Sequence, residues 1–347
     1  NYQSADRRPL HLVGPWGDTL ERWYREGLPR DTDLNKYFGV EPLRTVYVGP
    51  NMGIFPTYEV RTLEETETVR IYTDGYGRTV RDYKDHTTMP EWIDFPVKSG
   101  ADLQRVINEH YQIDDLDARF PAGWEEKAKQ AAAAGYMPLI DGGCYYWTLR
   151  SLAGVEHASY LFYDAPEQVD ELFERYNVVV MEGIRRLTDL LPIDILGFGE
   201  DVAFKTGTLI SPAMFRQFIL PRYRKATELA RARGINYTWY DSDGDVRPFI
   251  PDYLSVGIDT MVPCEVAASM DPVELRKQFG RDLKMVGGID KREIAKGRAA
   301  IDAELAKLRP VIEEGGYVPA IDHSIPADIS FADYCYFMEK IQQALEL

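Results

Sequence analysis

The chain has 347 residues, of which 45% are hydrophobic and 28% are charged, a balance typical of a globular protein. Its formal net charge of −16 argues against nonspecific binding to nucleic acid or to anionic membranes, because both need basic surface. No apolar run approaches the ~18 residues of a membrane span, and Asn1–Pro9 has no apolar segment typical of a signal peptide. The three cysteines form no CxxC pair, so we expect no structural disulfides and a cytoplasmic location.

The N-terminal part predicts one strand, one helix and an antiparallel segment. Arg8–Val13 is the candidate first strand, and Gly17–Tyr24 is an amphipathic helix with Asp18 near its cap. Between Pro56 and Pro96 the pattern changes to exposed, alternating strands with a tight turn at Asp74-Gly75. We interpret residues of about 56–96 as an antiparallel β insertion that serves as a lid or an interaction surface.

From about residue 135, short apolar runs alternate with longer helical patterns. The predicted strands are Met137–Asp141, Ile193–Gly199, Ile235–Asp241, Thr260–Pro263, Leu283–Gly287 and Tyr317–Ile321. The predicted helices include Pro166–Leu190, Pro212–Arg233, Pro272–Phe279 and Ala299–Glu314. Such alternation indicates a parallel sheet covered by helices. With two more units near the N-terminus, it predicts a single-domain eight-stranded (β/α)8 TIM barrel over residues 1–347.

Every one of these six strands ends in carboxylates, and in a β/α barrel the site lies at the C-terminal ends of the strands. The richest exit is Asp241-Ser-Asp-Gly-Asp245, which follows the aromatic run Tyr237–Tyr240. Further candidates at the strand exits are Glu200, Asp201, Lys205, Arg247, Cys264, Glu265, Asp290, Asp322 and His323. So many carboxylates around one mouth would repel one another unless some are protonated or a cation lies among them.

Each candidate also has a structural alternative. Asp241, Asp243, Asp245 and Asp290 are residues that commonly cap helices. Glu200 and Asp201 would also suit a structural salt bridge with Lys205, and His323 a buried, hydrogen-bonded position. Cys264 suits a small core residue, and we treat His11 and His157 as structural.

The strand exits lie in blocks that resemble the uroporphyrinogen decarboxylase (URO-D) superfamily over most of the chain. The blocks are Asp94–Lys98, Gly199–Lys205, Leu209–Pro212 through Pro221-Arg-Tyr, Asp241–Asp245, Ile250–Asp259, Val286–Lys291 and Gly316–Pro326. The resemblance implies a β/α barrel and two classes of enzyme, the porphyrinogen decarboxylases and the corrinoid-linked methyltransferases.

The chain departs from both classes. The decarboxylases carry an N-terminal Arg-rich motif and a catalytic Asp, whereas this chain has Val13–Asp18, including Trp16, in that region. The methyltransferases bind zinc through a His-x-Cys pair, and Asp241-x-Asp243 stands at that position. The methyltransferases have a third zinc ligand, a Cys, near the position of His323. A metal held by carboxylates and imidazole would be more Lewis-acidic than one held by thiolates.

The resemblance therefore implies an enzyme of the methyltransferase-like branch that acts on a small oxygenated or methylated substrate. The predicted catalytic residues are Asp241, Asp243, His323 and Glu200, and the predicted substrate-binding residues are Lys205, Arg247, Glu265, Asp290 and Trp16. Asp241, Asp243 and His323 are also the predicted ligands of a divalent metal such as zinc. Without a metal, Asp241 or Asp243 would act as a general base and His323 as a second proton-transfer group.

The predicted partners are a separate corrinoid protein and a second copy of the chain, since 22 Tyr and 6 Trp favour an aromatic interface. Two alternatives stay open at this point. The first alternative to the methyltransferase-like enzyme is a divergent uroporphyrinogen decarboxylase. The second is a non-catalytic protein that binds a metal or a small ligand.

Overall fold

The structure is a computed structural model that describes residues 2, 9–86 and 88–345. The helices in these ranges are α1 (Gly17–Arg25), α2 (Leu34–Phe38), α3 (Gly100–His110), α4 (Trp124–Ala133), α5 (Tyr145–Asp164), α6 (Pro166–Leu190), α7 (Pro212–Met214), α8 (Leu220–Ala232), α9 (Ile250–Ser255), α10 (Pro272–Phe279), α11 (Lys291–Ile294), α12 (Arg298–Glu314) and α13 (Phe331–Leu345). A π-helical turn, Phe215–Ile219, joins α7 to α8.

The strands in these ranges are β1 (Thr45–Tyr47), β2 (Arg61–Glu65), β3 (Val69–Thr73), β4 (Thr79–Tyr83), β5 (Glu91–Asp94), β6 (Met137–Asp141), β7 (Ile195–Gly199), β8 (Ala203–Phe204), β9 (Gly207–Thr208), β10 (Tyr237–Asp241), β11 (Thr260–Val262), β12 (Lys284–Val286) and β13 (Tyr317–Val318). All six strands predicted after residue 135 are present, some of them shorter than expected.

Seven strands form one curled, parallel sheet in the order β1-β6-β7-β10-β11-β12-β13. Each neighbouring pair is parallel, as in the register that joins Tyr237 to Ile195 and Asp241 to Gly199. Helices connect most of these strands, as parallel pairing requires. The carboxyl ends of the strands consequently meet at one edge of the curled sheet, which is the edge where the candidate residues were expected.

The two faces of the sheet differ in burial. Tyr240, Met261 and Met285 belong to the buried core, where the Tyr240 ring lies 4.0 Å from that of Tyr253 in α9. The residues that follow them along the strands, Val262 and Val286, are only partly buried. Side chains alternate between the two faces of a strand. The main core therefore lies between the outer face of the sheet and the helices.

The predicted first strand, Arg8–Val13, is not observed in its described part. Arg8 lies outside the described residues, and residues 9–13 have no strand structure. This segment contacts the chain beyond β13 only locally: His11 N–H donates to Pro319 O at 3.2 Å, and Pro15 forms an isolated parallel bridge with Ile325. Pro9 and Pro15 have no N–H, so neither can donate a ladder hydrogen bond in this segment. The parallel sheet observed is thus a seven-stranded half-barrel.

Strands β2 to β5 form a separate antiparallel sheet in the order of the chain. Its second turn is held by Asp74, which accepts the N–H groups of Tyr76 and Arg78 and forms an ion pair with Arg78 at 2.7 Å. Strand β2 begins at Arg61 and β5 ends at Asp94, so the four strands lie between Pro56 and Pro96. The turn brings Tyr76 against Trp147 of α5, with 6.0 Å between the ring centroids. The antiparallel sheet therefore touches the carboxyl edge of the parallel sheet.

Within the described ranges, no helix is both long enough and apolar enough to cross a membrane. The longest helix, α6, has 25 residues but carries acidic and basic side chains on its outer face.

Candidate functional site

A cavity of about 280 Å³ opens at the carboxyl ends of β10 to β13. Its polar walls are formed by Asp241, Asp243, His323 and His11. Apolar walls come from the strands themselves, including Val262 and Val286. The cavity therefore brings together the three residues that the sequence predicted as both catalytic groups and metal ligands, and it adds a second histidine.

Asp241 is the last residue of β10, and its side chain faces the opening of the cavity. Water reaches the Asp241 carboxyl group, but protein atoms take the place of most of the water around it. This desolvation raises the pKa of Asp241 to about 6, and the nearby charges of Asp201 and Asp243 raise it further, while His323 opposes them. The pKa of Asp241 is consequently raised towards neutral pH.

Asp243 and His323 form the second titratable unit of the cavity. Nε2 of His323 lies 3.5 Å from Oδ2 of Asp243, and Nδ1 accepts the backbone N–H of Ser324 at 2.8 Å. The interaction with Asp243 raises the pKa of His323 above its usual value, against the desolvation that lowers it. The backbone N–H of Asp243 donates to Oδ1 of Asp201 at 3.3 Å, which fixes the position of Asp243.

The expected metal site does not fit this arrangement. Among the described residues, no group of three or more His, Cys, Asp or Glu side chains is placed to hold a metal ion. A metal on Nε2 of His323 would require the hydrogen on Nδ1, yet Nδ1 faces the N–H donor of Ser324. Ligating histidines instead direct their other ring nitrogen at an acceptor. The Ser324 contact thus favours a proton on Nε2, between His323 and Asp243, over a metal ion.

Glu200 does not line the cavity, contrary to the expected arrangement around Asp241. Its carboxylate is buried and turned towards the first turn of α5, where it accepts the N–H of Tyr145 at 2.7 Å and that of Trp147 at 2.9 Å. The hydroxyl of Tyr223 donates to the same carboxylate at 2.5 Å. Burial raises the pKa of Glu200 to about 8, while these donors act in the opposite direction. Glu200 therefore joins β7 to the N-terminus of α5 and to α8.

Two of the predicted substrate-binding residues are engaged in local ion pairs. Arg247 binds Asp245 through two nitrogens, at 2.8 and 2.7 Å. Asp290 caps α11 by accepting the Arg292 N–H at 2.9 Å, and it also pairs with the Arg292 guanidinium at 2.7 Å. The capping alternative is the one observed for Asp290, and Arg247 lies outside the wall of the cavity.

The other three predicted substrate-binding residues also lie outside the cavity wall. Glu265 accepts the N–H of Gly244 at 3.1 Å and so supports the turn that carries Asp243. Trp16 precedes α1, and its backbone N–H donates to Ile325 O at 3.1 Å. Lys205 is exposed in the turn between β8 and β9. The expected salt bridge of Asp201 is made with Arg150 instead of Lys205, at 3.2 Å.

Two residues next to the candidate site were not among the predicted catalytic, substrate-binding or metal-binding residues. His11 lines the cavity, and burial lowers its pKa. Asp322 is buried beside His323 and accepts the N–H groups of Val266 and Lys291 at 3.2 and 3.3 Å. Desolvation raises the pKa of Asp322 to about 6. The strand-exit rule does indicate Asp322, whereas His11 has no such signal because its segment forms no strand.

Comparisons with known proteins agree with this architecture. The family model described as uroporphyrinogen decarboxylase (URO-D) matches residues 144–344. No curated protein matches the chain significantly. Among solved structures, a methyltransferase from Methanosarcina mazei is similar, with a TM-score of 0.57 and 14% identity over 98% of this chain and 95% of that one. A B12-independent methionine synthase from Shewanella sp. W3-18-1, in complex with selenomethionine, has a TM-score of 0.44 and 12% identity over 97% and 95%. At 14% identity, the similarity to the Methanosarcina mazei structure is a similarity of fold.

Proposed function

Since the chain belongs to the uroporphyrinogen decarboxylase (URO-D) family, we propose that it is an enzyme of the methyltransferase-like branch. It acts on a small oxygenated or methylated substrate in the cavity of Asp241, Asp243 and His323. The name of the structurally similar Methanosarcina mazei protein supports this branch. The observation that carries the proposal is the pairing of His323 with Asp243 beside a separate carboxyl group, Asp241.

This arrangement suits proton transfer to a leaving group. In methyl transfer from a methoxyl group, the methyl carbon bonds to the acceptor while its bond to oxygen breaks. The oxygen keeps the bonding electron pair and needs one proton. Asp241, whose pKa is about 6, can supply that proton as a general acid. The pair formed by His323 and Asp243 holds a second proton within the same cavity and orients the imidazole. A corrinoid on a separate protein would accept the methyl group.

The charge of the cavity supports this branch over porphyrinogen decarboxylation. The residues that line it include Asp241 and Asp243 but no arginine or lysine in the described part of the chain. A substrate with many carboxylates needs cationic partners, and a wall of carboxylates would repel it. A small, neutral or cationic substrate is compatible with both the volume and the charge.

We further propose that residues 1–347 form one domain in which strands β2 to β5 cover part of the active-site edge. The contact of Tyr76 with Trp147 supports this covering role. A substrate would then enter between the antiparallel sheet and the open half of the parallel sheet. Covering loops and sheets exclude water from reacting groups in many enzymes.

Methyl transfer to cob(I)alamin tests the proposal directly. The purified chain is incubated under reducing conditions with cob(I)alamin and, separately, with methanol, methylated amines and methoxybenzenes, and methylcobalamin is followed by absorbance. We expect transfer from at least one donor, a loss of about 10²-fold or more in Asp241→Asn, and wild-type rates in the control Cys335→Ser in α13. No transfer from any donor, together with conversion of uroporphyrinogen to coproporphyrinogen, would replace the proposal by the decarboxylase.

A further inference from the structure

A second cavity, of about 220 Å³, lies between the chain that follows β1 and the helix α6. Met52, Ile140, Val180 and Leu187 supply apolar walls, and Asp141 at the end of β6 supplies a carboxylate. None of these residues lines the cavity of Asp241 and His323. The second cavity therefore has its own walls and its own polar group.

Two glycines determine how closely the walls approach. Gly183 lies inside α6, where a Cβ atom would lie 3.1 Å from Cδ of Pro50. Gly49 has a φ of +139°, and a Cβ atom there would lie 3.1 Å from Cδ1 of Leu187. A glycine inside a helix costs about 1 kcal/mol relative to alanine. Its presence in α6 is explained by the close approach of the loop that closes this cavity.

Asp141 retains acceptor capacity towards the cavity. Its Oδ1 accepts the N–H of Gly143 at 2.8 Å, and the thiol of Cys144, a weak donor, lies 3.7 Å from Oδ1 and 3.9 Å from Oδ2. A carboxylate has about four acceptor positions. Desolvation raises the pKa of Asp141, while hydrogen bonds from the Gly143 N–H, the Cys144 thiol and the Tyr176 hydroxyl act in the opposite direction and leave about one acceptor position free. A ligand with a hydrogen-bond donor would satisfy this carboxylate.

Tyr47 is the most exposed residue in the wall of the second cavity. It lines the second cavity, and its exposed ring projects from the end of β1. Loss of hydration around its hydroxyl, together with the charges of Asp141 and Asp241, raises the pKa of Tyr47 to about 12. Its hydroxyl is therefore within electrostatic reach of the carboxylates of both cavities.

We propose that the second cavity is a binding site for a neutral, ring-sized apolar molecule with one hydroxyl group, of the phenol class. The ring lies among Met52, Ile140 and Leu187, and the hydroxyl donates to Asp141. An apolar cavity of about 150 Å³ binds benzene in a well-studied protein, so 220 Å³ accommodates a ring with one substituent. An anion such as benzoate is excluded, because its charge would lie against the carboxylate of Asp141.

Calorimetric titration with phenol, toluene and benzoate tests this site on the full chain. We expect saturable binding of phenol, toluene weaker by about tenfold because it lacks the donor, and no binding of benzoate. Asp141→Leu should weaken phenol by a similar factor, and Met52→Trp should abolish binding by filling the cavity. Cys335→Ser in α13, which lines neither cavity, is the control and should bind phenol as the wild type does.

A second readout locates the ligand. In protein with labelled methyl groups, phenol ring protons should give nuclear Overhauser effects to the methyl groups of Ile140 and Leu187. If Met52→Trp does not fold, as judged by its thermal unfolding, Val48→Phe fills the same cavity. The proposal is overturned if phenol does not bind, if toluene binds equally well, or if the filled and Asp141→Leu variants retain wild-type affinity. Because no methyl donor or corrinoid is present, the outcome is independent of the methyl-transfer assay.

Discussion

His323 directs Nε2 towards Oδ2 of Asp243 at 3.5 Å, while the backbone N–H of Ser324 occupies its other ring nitrogen at 2.8 Å. An imidazole from the chain after β13 therefore faces a carboxylate from the chain after β10 across the cavity. This relationship distinguishes the site from a metal centre, because both ring nitrogens already have protein neighbours.

The protonation of His323 should depend on Asp243. Because Asp243 raises the pKa of His323, we expect a titration midpoint above 6.5 in the wild type and a lower one in Asp243→Asn. The raised pKa contributes stability that is fully present below pH ~6.5 and lost as the pH rises through the folded midpoint. Imidazole ¹⁵N shifts recorded against pH provide the measurement. Equal midpoints in both proteins would contradict the pairing.

Asp241 should titrate separately near pH 6. Its pKa is raised by desolvation and by two neighbouring carboxylates, so its neutral form favours folding. That contribution is fully present below pH ~3.8, the usual value, and is lost as the pH rises through about 6. At pH 8 we expect Asp241→Asn to be more stable than the wild type by about 0.3–1 kcal/mol, since solvent screening limits the effect. Urea unfolding at pH 4 and pH 8 measures it, and a stabilisation that is equal at both pH values would argue against the raised pKa.

Glu200 should be more important for stability than for chemistry. Its carboxylate accepts two backbone N–H groups of α5 and the Tyr223 hydroxyl, so an amide at this position must turn its NH2 group towards a donor. We expect Glu200→Gln to lower the free energy of unfolding by about 1–3 kcal/mol. Tyr223→Phe, which removes one donor and leaves the carboxylate bound to the helix, is the matched control and should cost less. Urea unfolding at pH 9, where Glu200 is ionised, compares the two variants.

Metal content should be low and insensitive to the acidic cavity. The Ser324 N–H at Nδ1 of His323 opposes a metal on Nε2. We expect elemental analysis after incubation with Zn²⁺ and gel filtration to find less than one equivalent, with no difference between the wild type and Asp243→Asn. One equivalent in the wild type that is lost in Asp243→Asn would restore the three-ligand site.

The sequence predicted the positions of the candidate residues at the strand ends better than the orientations of their side chains. Asp241, Asp243 and His323 meet because parallel strands end at one edge, and strand exits are visible as the ends of short apolar runs between helical patterns. Glu200 was expected at the same edge but lies on the other face of the sheet. Its position two residues after Phe198 indicates this, because every second residue of β7, Leu196 and Phe198, faces the helices. His11 could not be predicted, since its segment reaches the cavity without strand structure. The orientation of a side chain beyond a strand end depends on tertiary contacts, which the pattern of apolar and polar residues does not encode.

The separation of the two sheet faces has a consequence for sequence change. Tyr240, Met261 and Met285 carry the packing against the helices, whereas Asp241, Val262 and Val286 line the cavity. A large-to-small change among the first three residues would cost several kcal/mol, but a change among the second three leaves that packing intact. Specificity at this site can therefore diverge by single substitutions while the fold is retained, which makes the inner face a suitable target for redesign towards new substrates.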